Sequence, residues 1–391
     1  MKKRFKSLIF ILILVLIMST QFLGQPVKAD ELISKTNTTE FIQSSKIPEN
    51  IINFAKDKFE TLSQGVKDNP YLYELNSDEA NNLCLGQGFN IFNLEDNKTS
   101  NIYYFPVLSD KKIKEILTVS LNDDGTYSAT LGKDFAQKLE NVSMKSTTEN
   151  PLLLLSYKEL IVAKNKNGIT KLNNLSINKN SSFNEDTLNR IINSKEIAKT
   201  STNIVNVKKV LPTTHKKVSH SSNLLGASNT NSGRYLSVPI TTQRTSDGVQ
   251  HGMCWAASVS CIVNYKLNKN ITAANVCDLM NVGYDDGANG IVARNALGIY
   301  GISAFAVDNP LSFDQVVNYI NNNKPVYMRS TSNIGNHATV INGWIKYSDG
   351  NSLILMDPAY ECYKQAYSSG NTFSFGFGNT IMTWYASVFL L

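Results

Sequence analysis

Cys254 stands in Gln250-His251-Gly252-Met253-Cys254-Trp255-Ala256-Ala257-Ser258-Val259, where a short flexible lead-in runs into residues 256–265, a stretch with few helix breakers and apolar residues at helical spacing. The pattern predicts that Cys254 sits in the first turn of a helix. There, unpaired N–H groups and the positive end of the helix dipole favour an anion and lower a thiol's pKa, and the thiolate is the reactive form. Most free cysteines are merely small buried hydrophobes. What sets this one apart is its company downstream.

Of the four histidines, His215 and His220 lie in a polar stretch and His251 is three residues before Cys254. His337 is placed differently. It stands in Gly335-Asn336-His337-Ala338-Thr339-Val340-Ile341-Asn342-Gly343-Trp344, where a loop turns into an apolar, β-branched run that reads as a core strand. Farther on, Leu353-Ile354-Leu355-Met356-Asp357-Pro358 is a buried-type strand ending on a carboxylate. Taken alone, the histidine reads as structural and the aspartate as a turn residue before proline. A cysteine at a helix start, a histidine at a strand start and an aspartate at a strand end form a much rarer combination.

Cys254-Trp255-Ala256-Ala257, the Gly-x-His-Ala-x-Val-Ile-x-Gly-Trp run at His337 and the Asp357-Pro358 strand end together resemble papain-like cysteine peptidases. The nearest flavour is the bacterial secreted branch with the staphopains and the bacteriocin-leader peptidases. The resemblance covers residues 233–391 and keeps the family's order of Cys, His, Asp. It implies a catalytic set of Cys254, His337 and Asp357, in a third place where the family often has asparagine. It also implies an oxyanion donor among the glutamines before the cysteine. The family's glutamine six positions ahead is Gly248 here; Gln243 in Val238-Pro239-Ile240-Thr241-Thr242-Gln243 fits the family's lead-in with about five inserted residues, and Gln250 is the alternative. The backbone N–H of Cys254 would be the second donor.

The elements that must position these groups read as an α+β chain with a small α+β region ahead of the catalytic one. Residues 1–29 carry Lys2, Lys3, Arg4 and Lys6, a short apolar run and Val27-Lys28-Ala29, the signature of a secretory signal peptide cleaved after Ala29. Residues 30–196 predict a helix opened by Pro48, strands near 89–94, 102–108, 113–121 and 127–131 with an Asp124-Gly125 hairpin turn, a short helix near 134–139, and an apolar strand or helix over 152–163. No catalytic constellation appears there, so this region reads as a pro-domain. Residues 197–232 carry Lys199, Lys208, Lys209, Lys216 and Lys217 among Ser, Thr and Asn with no acidic residue, and read as an unfolded, cleavable linker. Residues 233–391 read as helices first (272–281, 291–299, and 312–322 with a Ser312/Gln315 capping box) and antiparallel strands second (325–330, 337–347, 352–356, 373–377, 380–390). A helical lobe and a sheet lobe would leave a cleft, and the resemblance implies that the cysteine and histidine meet across it.

Composition narrows the partners. The formal charge is +6, but Lys2, Lys3, Arg4, Lys6 and Lys28 supply +5 of it and leave with the signal, while residues 233–391 hold nine basic and nine acidic groups. Nothing points to nucleic acid, and no segment after the signal is apolar enough for a membrane. Five cysteines without a C-x-x-C pair suggest neither zinc nor another metal, and no cofactor is expected; Cys277 and Cys362 could pair or stay reduced, and Cys261 reads as core. The expected protein is a secreted, extracellular cysteine endopeptidase acting on protein or peptide substrates and held latent by its own N-terminal pro-domain. Two alternatives stay open: a secreted binding or adhesion protein with an inactive peptidase-like domain, and a transglutaminase or amidase using the same Cys-His-Asp chemistry.

Overall fold

The computed structural model describes residues 40–96, 98–122, 125–157, 160–173, 203–212, 232–370 and 372–391. The expected signal peptide, residues 197–202 and 213–231 of the expected linker, and Asp124 of the expected hairpin turn lie outside the described residues.

In the N-terminal half, α1 (Glu49–Asp68) follows Pro48 and buries Ile51, Ala55, Phe59, Leu62 and Val66, a three-to-four spacing that keeps one face of the helix apolar. A 3-10 turn (Pro70–Tyr73), α2 (Ser77–Asn81) and β2 (Cys84–Leu85) lead into β3 (Phe89–Asn93), β4 (Lys98–Ser109), β5 (Lys112–Leu121) and β6 (Tyr127–Gly132). These last four pair antiparallel in sequence order. After α3 (Ala136–Ser143), the apolar stretch at 152–163 resolves into a hairpin of β7 (Leu152–Tyr157) and β8 (Leu160–Asn165), extended by β9 (Gly168–Lys171). β1 (Phe41–Ser44) and β3 both run parallel to β7, tying the two strand groups together.

The expectation that residues 197–232 stay unfolded needs correcting at 203–212. β10 (Asn203–Asn206) pairs antiparallel with β1, Val207 is fully buried, and Val210 bridges to Gly86. Lys208 is structural as well: its Nζ lies 2.6 Å from Glu40 Oε1 and 2.8 Å from Glu140 Oε1. Composition predicted a tether because the segment's partners, Glu40 and Glu140, lie far off in sequence.

In the C-terminal half, α4 (Cys254–Leu267) buries every residue from Trp255 to Val263. A helix apolar all round belongs in an interior. α5 (Ala273–Met280), α6 (Gly290–Ile299) and α7 (Phe313–Asn321) join it; α5 and α7 open with reciprocal capping boxes at Thr272/Asn275 and Ser312/Gln315. The strands are β11 (Ser232–Tyr235), β12 (Ala304–Val307), β13 (Val326–Ser332), β14 (Gly335–Lys346), β15 (Asn351–Asp357), β16 (Cys362–Ser368), β17 (Ser374–Phe377) and β18 (Thr380–Leu390). They form an antiparallel sheet in the order β12, β18, β13, β14, β15, β16, with β17 on β18 and β11 on the far end of β14.

The two halves share one sheet. β6 pairs antiparallel with β16, setting Gly132 opposite Lys364 and Ala129 opposite Tyr367. Side chains seal the seam: Tyr73 Oη donates to Gln365 Oε1 at 3.2 Å, Lys58 pairs with Asp349, and Tyr104 Oη donates to Gly378 O at 2.9 Å. One buried apolar cluster runs from Phe59 and Leu62 of α1 to Ile345 and Tyr367, and the described residues belong to a single compact unit.

Candidate active site

Cys254 is the first residue of α4, and Met253 before it offers no capping side chain, so the first-turn N–H groups stay free for other acceptors. Contacts on both sides fix the turn. Trp255 Nε1 donates to Asp286 O at 3.2 Å, while Asp285 Oδ1 accepts from Gly252 N at 3.3 Å and lies 3.1 Å from His251 Nδ1. A Cβ on Gly252 would come within 3.2 Å of Asp285 O, so glycine is what allows the two loops to touch. The preceding lead-in is bonded onto α4 by Thr241 Oγ1 to Ala257 O at 2.8 Å and by Cys261 Sγ to Pro239 O at 3.3 Å.

His337 is the third residue of β14, opposite Ser330 of β13, and Asp357 is the last residue of neighbouring β15. The register of β14 on β15 brings the two side chains together, with His337 Nε2 2.9 Å from Asp357 Oδ1. That oxygen also accepts from Ala359 N at 3.0 Å, which fixes the carboxylate's direction. Both residues are buried, and the Phe377 ring lies 4.4 Å from the imidazole, shielding the pair from water. Cys254, partly exposed, stands near enough to the imidazole and to the backbone N–H groups of Ala338 and Trp255 for all three to act on its thiol. With Nε2 committed to Asp357, Nδ1 is the ring nitrogen left for the thiol.

The electrostatics follow. Burial alone would push the Cys254 thiol up, but the hydrogen bond and charge of His337, together with the N–H groups of Ala338 and Trp255, outweigh it and the pKa is lowered. Burial likewise works against the His337 cation, yet Asp357 and Cys254 raise it to about 9. Asp357 is held well below the usual carboxylate range against its burial, first by Lys364 and then by His337. The other cysteines behave oppositely: all five are free thiols, and burial pushes Cys84, Cys261, Cys277 and Cys362 up, Cys277 to about 12. Such an arrangement can hold a thiolate–imidazolium pair near neutral pH.

The two glutamines occupy different places. Gln243 is buried; its Nε2 donates to His251 O at 2.8 Å and its carbonyl accepts from His251 N at 3.0 Å, so it buttresses the cysteine turn directly. Gln250 faces the seam between the halves, donating to Ala359 O at 3.3 Å and lining a cavity of about 190 Å³ with Asp134, Lys138 and Glu361. Sequence reasoning passed over Lys364, Asp134 and Phe377, the groups surrounding the His337–Asp357 pair. Nothing in their local pattern marked them, apart from a lysine among tyrosines in Tyr360-Glu361-Cys362-Tyr363-Lys364.

Residues 234–374 match the model of the family described as papain-like cysteine protease AvrRpt2. Among solved structures, a Bacillus anthracis protein described as a C39-like peptidase is similar over 36% of this chain and 99% of its own, at 11% identity and a TM-score of 0.24. No curated protein matches the chain. The family match falls on the segment that holds Cys254, His337 and Asp357 and points to a cysteine-type peptidase.

Proposed function

We propose that the chain is a secreted cysteine endopeptidase made as a latent precursor, with Cys254 as nucleophile, His337 as proton carrier and Asp357 as the group that orients and charges the imidazole. The observation that carries this reading is a buried histidine bonded to a buried aspartate at 2.9 Å, with a helix-start cysteine whose thiol pKa the same histidine lowers. In the first half-reaction the thiolate attacks a peptide carbonyl. The Cys254 N–H and the Gln243 amide would receive the oxyanion. The His337 imidazolium gives its proton to the leaving amine, and a thioester remains on Cys254. Water then attacks the thioester, His337 takes the water's proton, and the acid product leaves with the thiolate restored. The nearly enclosed pairing of His337 with Asp357 keeps the ring in the tautomer that this exchange needs.

The precursor reading is supported by the basic, acid-free composition of residues 213–231, which join the halves, and by a seam that would have to part for the N-terminal region to leave. The test is hydrolysis of an unfolded protein substrate. Cys254→Ala and His337→Ala should each abolish turnover, with no further loss when combined, because they act as one unit. Gln243→Ala should cost roughly a hundredfold to a thousandfold, the usual loss of one oxyanion donor, and Gln250→Ala little. Full activity in Cys254→Ala would require a different nucleophile. Turnover of esters or glutamine amides without cleavage of peptide bonds would favour a transglutaminase or amidase, and a complete lack of turnover by the processed chain would favour a binding protein.

A further inference from the structure

Lys364 is the third residue of β16, fully buried, and its surroundings are built from both halves of the chain. Its Nζ is 2.5 Å from Asp134 Oδ1 and 3.0 Å from Asp357 Oδ2, donates to Gly376 O at 3.3 Å, and sits 3.8 Å above the Tyr360 ring. Room for the lysine stem comes from the N-terminal half: a Cβ on Gly132 would stand 2.8 Å from Lys364 Cγ. Two residues on, Asp134 holds a backbone φ of 36°, in the left-handed region that costs a non-glycine residue roughly 1 kcal/mol or more. With that backbone the carboxylate lies against Lys364. Burying a lysine between two carboxylates is a poor way to gain stability, since apolar replacements of buried ion pairs are often neutral or stabilising. The placement makes sense as electrostatics: burial raises the Asp134 carboxyl while Lys364 draws it back down, and Asp134, Lys364, Asp357, His337 and Cys254 stand in a row of groups whose ionised forms alternate in sign.

We propose that Lys364 is a positioning residue for the Cys254–His337–Asp357 set and that Asp134 of the N-terminal region is its second counter-ion, so that the docked N-terminal region is wired into the charge balance behind the imidazole. The inference rests on the catalytic reading above. While Asp134 is present, Lys364 is shared, and Asp357 keeps more of its field for His337. Without Asp134, the lysine's charge falls on Asp357 alone and opposes the imidazolium. Other titratable groups facing this line are Tyr360 and Cys362 beside Lys364, Tyr104 and Glu115 beside Asp134 and Cys362, and Tyr327 beside Cys254. The tyrosines and Cys362 are pushed up by burial, farther from neutral pH, and burial raises the Glu115 carboxyl as well, so the two aspartates and Lys364 are the groups whose charges bear on the imidazole most directly.

The experiment is the pH dependence of iodoacetamide alkylation at Cys254 in the uncleaved chain, with the modified site read by peptide mass, for the natural sequence, Asp134→Asn, Lys364→Met and the double variant. The upper limb of the profile reports loss of the imidazolium proton. Asp134→Asn should move that limb down and Lys364→Met should move it up, each by about half a pH unit or more, a fraction of the one to three units an adjacent charge exerts. The double variant should return close to the natural profile. Limbs that stay put, or move in the same direction, overturn the inference. Should Lys364→Met fail to fold, Asp134→Asn decides alone, since it keeps the side chain's shape. A Cys254 no more reactive than an ordinary thiol, and indifferent to His337→Ala, would instead remove the catalytic reading; a reactive Cys254 with an unmoved limb removes this inference only.

Discussion

At the scale of single residues, the site is a competition between burial and pairing that pairing wins at three positions. Burial disfavours each charged form of Cys254, His337 and Asp357, yet the thiol and the carboxyl are lowered and the imidazole is raised. The sign of the pH dependence follows. Reactivity at Cys254 should therefore rise with pH as the thiolate forms and fall as His337, raised against its burial by Asp357 and Cys254 to about 9, loses its proton. Asp357→Asn keeps an acceptor for Nε2 but removes the charge, and leaves Lys364 opposing the imidazolium. Its falling limb should therefore move down by roughly one to three pH units, so that activity near pH 8 drops more steeply than activity near pH 6. A pH profile of kcat/KM checks this; a falling limb still near pH 9 would mean that Asp357 does not hold the imidazolium.

At the scale of elements, positions are set by register and by where glycine lets backbones approach. β14 carries His337 near one end and receives β11 at the other, and its register on β15 slips between Ile341 and Gly343. Asn342 at that irregularity accepts from Leu236 N at 2.6 Å and returns Nδ2 to Leu236 O at 3.0 Å, which anchors the lead-in that reaches Gln243. A Cβ at Gly343 would stand 2.7 Å from Tyr235 Cβ and 2.9 Å from Arg234 O, so β11 must shift. Gly343→Ala should lower stability by about 1–3 kcal/mol, the usual cost of overpacking, and weaken activity through the lead-in. A urea unfolding midpoint equal to that of the natural protein would show that β11 docks without this close approach.

At the scale of the whole molecule, the strand pairing of β6 with β16 makes the N-terminal half part of the same sheet that carries His337 and Asp357. In the proposed precursor, a tethered partner acts at an effective concentration that can reach the millimolar range, so the seam would stay closed until the chain is cut within residues 213–231. Trace processed enzyme should cut the Cys254→Ala precursor within 213–231, and cutting the active precursor there should raise its hydrolysis rate at least tenfold once dilution lets the halves separate. Gel mapping of the cut and a dilution series of activity test both steps. A precursor that is as active uncut as cut would make the N-terminal half a module with another purpose.

Chemistry legible in the sequence lay in short stretches whose context is local. A cysteine after a flexible lead-in and before an unbroken apolar run starts a helix because no distant residue is needed to nucleate it, and β-branched runs at 338–345 and 352–356 become strands because their periodicity already suits a buried sheet. The three candidate catalytic residues, and most elements around them, were visible in this way. β16 was not. Cys362-Tyr363-Lys364-Gln365-Ala366-Tyr367-Ser368 has neither alternation nor an apolar run, and its lysine reads as a solvent-facing charge, yet all seven residues are buried. Likewise Lys208 looked like part of a bare linker until Glu40 and Glu140 closed on it. Lys208 is held by Glu40 and Glu140 and Lys364 by Asp134 as well as Asp357, and an energy that depends on such long-range pairing exists only once the chain has folded. The sequence by itself thus determined which residues could do the chemistry. The tertiary structure decided which charges stand behind them, because a buried lysine and the aspartates that hold it are stable only together.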